Sequence, residues 1–543
     1  MKITRRSLLQ NAGWLLGGAA MPRLLAAEIA PGEGRPFVEP PVRTSRDGLL
    51  DTQLTLAPAE VDVGPRRLRV EAYEGGIPGP TLRFRPGDKL RILLRNRMQP
   101  LGIPQNGPAP PPFVHAGHGG ASLQEAQIFT NVHTHGLQVS PRNPADNVLL
   151  TIKPGECNQY EYQIPRDQPA GLHWYHPHFH TSTTHQAWQG LAGALIVEGD
   201  IDEVPAVREA RERLLVLNAL WVGEDGRVPT ALVVPTAGFS PFSSIPAVPT
   251  DILFTINGVY QPEIDIRPGE TQRWRVLGAA PHRFFWLNVE GHTLYQIGQD
   301  GVPFARARQM SRILIATGNR AEFILKGGPP GRYRIWAEAY DQGHPGGPRP
   351  QRLLGTLVSA GKPMDGPLPG RLVEPPAMPG PVVAHRRLVW SGDISGRTGP
   401  GVKFYIDGKT FDANRIDQCA EAGTVEDWTL VNEDVFQHPF HIHVNPFQVI
   451  DIQGASPDDP TWVYDPSIWW DVHRLPPRGS ITIRIHFRRD VVGLTVFHCH
   501  ILPHEDNGMM GTLCIFPEGM SCSQSPGSLC APQTELNCPS GQS

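Results

Sequence analysis

Apolar and polar residues alternate in short runs along this chain, and one two-run phrase returns. Residues 79–96, GPTLRFRPGDKLRILLRN, join two alternating runs through a Pro-Gly turn. Residues 262–278, PEIDIRPGETQRWRVLG, repeat the phrase, and residues 414–432, NRIDQCAEAGTVEDWTLVN, give a looser copy with Gly423 at the turn. Period-2 alternation bounded by Pro and Gly predicts strands. A second phrase aligns without gaps: GLHWYHPH from Gly171, GRYRIWAE from Gly331 and GLTVFHCH from Gly493. Each reads as a late strand of its own unit. A spacing of about 160 residues predicts three homologous β domains, since short-period solenoids repeat far more often.

The copies differ where chemistry could sit. At the fifth and seventh positions after the glycine, the first has His176 and His178, the third His498 and His500, and the middle one Trp336 and Glu338. The sixth position is Pro177, Ala337 or Cys499. One scaffold therefore carries a histidine pair in its outer copies and a cysteine only in the last, which leaves the middle copy as a metal-free spacer. Pro/Gly-rich stretches at 345–351 and 363–382 read as linkers. The expected limits are 28–199, 200–362 and 383–519 for the three domains, with 520–543 as a cysteine-containing tail.

Composition supports this picture. The chain has 543 residues with 57 glycines and 57 prolines, too long for one core and turn-rich as β proteins are. A net charge of −4 without a basic stripe argues against nucleic acid as a partner. No run reaches the length of a membrane span. Residues 1–27 read as an export signal: Arg5–Arg6, then an apolar run from Leu8 to Ala20, resembling a twin-arginine signal. An ordinary secretory signal is the alternative. Either predicts a periplasmic or secreted protein. Seven cysteines then leave one over. If Cys499 is a metal ligand, Cys157, Cys419, Cys514, Cys522, Cys530 and Cys538 can form up to three bridges, whose pairing the sequence leaves open.

The histidines sharpen the reading. For 21 histidines in this length, chance gives roughly one His-x-His pair, yet there are five: 133/135, 176/178, 178/180, 441/443 and 498/500. Residues i and i+2 of a strand share a face, so each pair presents two imidazoles together. The alignment disfavours 178/180, and the other four pairs give eight imidazoles from the outer domains, suited to about three metal ions at their interface. Cys499, between His498 and His500, must face the other way. With His438, His504 and a weak Met509 it completes the ligand set of a blue-copper electron-transfer site. A closed four-ligand zinc site would leave the paired imidazoles idle. His180 and His185 read as loop or supporting residues, and His115 and His118 as solvent-exposed.

HTHG (133–136), HPH (176–178), HPFHIH (438–443) and HCHILPHEDNGM (498–509) resemble, in order and spacing, the four signature segments of the three-domain, laccase-like multicopper oxidases. The resemblance implies an all-β chain of three consecutive cupredoxin-like Greek-key domains, each a β-sandwich or barrel, holding four copper ions. It implies type 1 copper on His438, Cys499 and His504 with Met509 axial, and type 2 copper on His133 and His441. One type 3 copper falls to His135, His176 and His500, the other to His178, His443 and His498. Electrons from a small phenolic or aromatic reductant would enter over an exposed edge of His438 and reduce dioxygen to water, with Glu505 and Asp146 supplying protons. A cuprous or Mn(II) oxidase is the alternative. Only seven methionines lie beyond the signal, and only Met364 and Met378 fall in the Pro/Gly-rich stretch, which disfavours a dedicated cuprous oxidase. A copper-free scaffold would have lost ligands, and a nitrite reductase would not need four paired-histidine segments. The sequence leaves the oligomeric state open, with a monomer as the expectation.

Overall fold

A computed structural model describes residues 34–99, 127–223, 226–227, 251–344, 348–393, 402–462, 464–521 and 529–539. The expected export signal, His115, His118 and Cys522 lie outside the described residues. From Arg35 on, the chain forms one compact unit. Its strands build six sheets, which fall into three pairs along the chain, as three consecutive cupredoxin-like sandwiches require.

The repeated phrases explain the pairing. The first run of each phrase, Thr81–Phe84, Glu263–Ile266 and Gln418–Glu421, lies parallel to the last strand of its unit: Gly193–Val197, Arg352–Ser359 and Met510–Phe516. The second run, Lys89–Asn96, Thr271–Gly278 or Val425–Asn432, belongs to the facing sheet. The turn between the runs thus carries the chain from one sheet to the other, as in a Greek key. Gly423 sits at that turn with φ +86°, a conformation open to glycine, which explains why it stands where the other copies have Pro-Gly. The strands of the second phrase, Gly171–His176, Gly331–Glu338 and Gly493–Cys499, occupy the equivalent inner position of their five-stranded sheets.

Alternation places one face of each strand in a core. The second sandwich has its own apolar cluster, including Trp274, Phe285 and Phe323. The first and third share one continuous cluster, from Leu54, Phe84 and Tyr160 to Trp390, Phe440 and Phe497. Their intimate packing places the histidine-bearing strands of both units together. Disulfides join Cys157 to Cys538 and Cys514 to Cys530, and Cys419 is also disulfide-bonded. Cys499 is the free cysteine among the described residues.

Candidate metal centre

Strand register positions the donors. His133–His135 runs antiparallel to Gly171–His176, with His133 opposite His176. His438–Ile442 runs antiparallel to Gly493–Cys499, with His441 opposite His498. The two units therefore present the same arrangement, and period 2 aims both members of each pair at the interface. His178 and His443 lie just past their strands. The His178 backbone N–H donates to Asn131 Oδ1 at 2.8 Å, and that of His443 donates to Val496 O at 3.2 Å.

Three buried histidine groups result: His133, His135 and His441; His135, His176 and His500; and His178, His443 and His498. In the last, the Nε2 atoms stand 3.1, 3.1 and 3.3 Å apart. The outer hydrogen bonds fix which nitrogen points inward. His498 Nδ1 faces Cys499 O at 3.1 Å, His176 Nδ1 faces Pro177 O at 2.9 Å and His441 Nδ1 faces Asp471 O at 2.7 Å. A carbonyl only accepts, so each Nδ1 carries the proton and each Nε2 turns a lone pair inward. His133 Nδ1 likewise meets Asp146 Oδ2 at 2.8 Å, which brings its Nε2 within 3.4 Å of His441 Nε2. His135 Nδ1, His176 Nε2 and both His500 nitrogens have no hydrogen-bond partner. Burial, reinforced by the neighbouring histidines, pushes His133, His135, His176, His441, His443 and His500 well below the ordinary histidine range. A buried cluster of converging lone pairs without protons is a cation site.

Cys499 faces the opposite way, opposite Phe440 and within the apolar core. Its Sγ lies 3.4 Å from His438 Nδ1 and 3.5 Å from His504 Nδ1, and the two nitrogens are 3.1 Å apart. Metal–nitrogen bonds of about 2.0 Å in a trigonal plane set donor–donor edges of about 3.5 Å, so both this triangle and the His178 triangle fit one ion each. A thiolate with two imidazoles selects copper. Met509 is buried beside them, its carbonyl accepting from Cys499 N–H at 3.1 Å and its N–H donating to His504 O at 3.0 Å. His438 departs from expectation. No ring edge is exposed, because Phe436, Phe404 and Trp390 pack around it and its Nε2 meets Asp434 Oδ2 at 2.8 Å.

Both expected acids are buried at the histidine cluster. Glu505 Oε2 lies 3.1 Å from His498 Nδ1 and Oε1 3.7 Å from His178 Nδ1. Burial pushes Glu505 up to about 7 against the opposing influence of His178. Asp146 is likewise pushed up to about 7 by burial, while Oδ1 accepts from the Thr134 backbone and hydroxyl. His180 packs against Phe411, and His185 lies buried in the helix Thr183–Trp188; neither joins a donor group among the described residues.

Sequence reasoning missed Asp434, Asp471 and Arg320. Asp471 Oδ1 holds His135 Nε2 at 3.1 Å while its carbonyl holds His441, so one residue orients histidines from both outer units. Arg320, fully buried, reaches Asp471 from the middle sandwich with Nη1–Oδ1 and Nη2–Oδ2 distances of 2.6 and 2.5 Å. Gly318 beside it has no room for a side chain, since a Cβ there would sit 2.9 Å from the His500 ring. The middle sandwich gives no donor to these groups, yet it backs them closely. An acid in the otherwise apolar segment IWWDV was the one available signal for Asp471.

Three family models, each described as "Multicopper oxidase", match residues 124–201, 235–359 and 385–518. The chain belongs to the multicopper oxidase family. This multicopper oxidase is 26% identical over 499 residues to a laccase of Bacillus stratosphericus, an alignment covering 83% of this chain and 91% of the relative. It is 26% identical over 531 residues to the cell division protein FtsP of Escherichia coli, covering 95% and 100%. A solved structure titled as a multicopper oxidase from Campylobacter jejuni, a metallo-oxidase, superposes with a TM-score of 0.70 at 23% identity, covering 89% of this chain and 95% of that one.

Proposed function

We propose that this multicopper oxidase is a laccase-like enzyme that couples one-electron oxidation of phenols or aromatic amines to reduction of dioxygen to water. His438, Cys499 and His504 would hold type 1 copper, with Met509 axial. His133 and His441 would hold type 2 copper, and the groups of His135, His176 and His500 and of His178, His443 and His498 the type 3 pair. Residues 28–199 and 383–519 would thus share the cluster, and 200–362 would hold no metal. Bound at these positions, copper supplies one-electron acceptance beside the sulfur and four-electron delivery to dioxygen among the histidines.

The chain's own contributions follow from its residues. Cys499 lies between His498 and His500, so two peptide bonds join the sulfur triad to the histidine cluster. Both groups are buried within the protein. Glu505 and Asp146, held near neutrality, can keep and release protons at working pH. The observation that carries the reading is the convergence of inward lone pairs beside a buried thiol triad.

A metal-ion reductant is the second reading. The cap on His438 is the Asp434 carboxylate, 12% exposed, and a hard carboxylate oxygen at the entry point suits Mn(II) better than an arene. A non-enzymatic role, which the name of the cell-division relative brings forward, requires that the purified protein take up no copper. We place the protein in the periplasm or outside the cell, exported through a twin-arginine signal, as a monomer. The test is metal analysis and oxygen uptake on the copper-loaded protein with a methoxyphenol, Cu(I) and Mn(II) in turn. Four coppers, an intense blue band that Cys499→Ser abolishes, and fastest uptake with the phenol are expected. One zinc and no colour would refute the enzyme reading, and uptake with metal ions alone would install the second.

A further inference from the structure

The C-terminal tail has no part in the chemistry above, yet it returns to the segment that carries Asp146. Residues 136–151 form no strand. This loop brings Asp146 to His133 and Thr134 on its inner side. On its outer side it meets the tail. Gln533 Oε1 accepts from Asn143 N–H at 2.9 Å, and Gln533 O accepts from Asn147 Nδ2 at 2.7 Å. Glu535 O accepts from Asn143 Nδ2 at 3.0 Å. Beyond the loop, the tail continues along the strand Cys157–Gln163. Gln159 N–H donates to Asn537 O at 2.7 Å, Asn537 N–H donates to Asn158 Oδ1 at 2.8 Å, and Cys538 is bonded to Cys157. Leu536 packs against the apolar core.

We propose that this tail is a positioning strap, in which Gln533 holds the Asn143–Asn147 loop so that Asp146 orients His133. The inference rests on the reading of His133 as a copper ligand. Its logic is geometric. Asp146 is one residue from Asn147 and three from Asn143, the two anchors that Gln533 grips, so loop displacement at the anchors displaces the carboxylate. His133 has its Nδ1 proton held by Asp146 alone, so its inward Nε2 follows that carboxylate. The disulfide at Cys538 fixes the far end of the strap, which makes its grip independent of the tail's own weak secondary structure.

Gln533→Met removes the side-chain acceptor at similar size, and Gln533→Glu restores an acceptor oxygen. Hydrogen exchange on the copper-free full chain reads the loop directly. The Asn143–Asn147 amides should exchange roughly 2- to 12-fold faster in Gln533→Met, the worth of one net hydrogen bond, and return in Gln533→Glu. In copper-loaded protein, the same variant should surrender the His133-bound copper to a chelator roughly 10-fold more readily, seen as loss of the type 2 electron-spin signal with the blue band intact. A Cys157→Ser/Cys538→Ser chain should move both readouts in the same direction. Unchanged loop exchange in Gln533→Met overturns the strap. Faster exchange with unchanged copper retention overturns its link to His133. If the parent takes up no copper, the assignment of His133 fails, while the exchange arm still decides whether Gln533 holds the loop.

Discussion

Replacing Arg320 by Met tests whether the middle sandwich sustains the centre. The guanidinium is fully buried, pairs with Asp471 through both Nη atoms, and also donates to Leu172 O at 3.1 Å and Gly318 O at 2.9 Å. Met fills much of the volume but leaves the carboxylate without a cationic partner, with His135 Nε2 still at Oδ1. Removing one partner of a buried pair costs about 3–5 kcal/mol. The cost depends on pH with a definite sign. Burial already pushes Asp471 up to about 7 despite Arg320, and without the guanidinium it rises further. A carboxyl raised above its unfolded value lends stability at low pH that is lost as pH rises through the folded value. The variant should therefore lose little near pH 5.5 and most near pH 8.5. Urea unfolding of the copper-free chain, read from tryptophan emission, gives the comparison; midpoints are compared because packed sandwiches need not unfold in one step. At a slope of about 3 kcal/mol per M the midpoint should fall by about 1 M or more at the higher pH. Asp471→Asn in the same chain should recover about 2–3 kcal/mol as the coupling between the two positions. Equal midpoints for parent and variant at both pH values would refute the reasoning.

Met509→Leu removes a weak thioether donor and keeps the pocket apolar, so the type 1 potential should rise in a redox titration of the blue band. A fall would transfer the axial role to Met510. Glu505→Gln should leave anaerobic reduction of the blue band fast and slow reoxidation by dioxygen, with turnover down roughly 10²–10⁴-fold. Normal reoxidation in stopped flow would end the proton-donor role.

The two repeated phrases carried the fold because alternation and a turn residue specify which sheet a run joins, and all three copies obey it. The paired histidines were equally legible, since period 2 fixes the face on which two side chains emerge and so sends Cys499 away from its neighbours. Periodicity says nothing of what meets that face. Asp471 lies 336 residues from His135, and Arg320 151 residues from Asp471, so no local pattern joins them. Asp434 is only four residues before His438, but it works from a loop with no period to read. The burial of His438 arises from aromatic residues at 390, 404 and 436 that two separate strands and the loop before His438 bring together.

The two halves of the histidine cluster are far apart in the chain: His133 faces His441 across 308 residues, and His178 faces His498 across 320. Closing such long loops is entropically slow and gives no reward until the last sandwich exists. A growing chain with only its first sandwich made would offer unpaired imidazoles and the exposed half of a shared apolar core, the condition in which intermediates aggregate. Metal capture by the shared histidine cluster therefore belongs to the finished polypeptide, after synthesis has ended and both outer sandwiches have met.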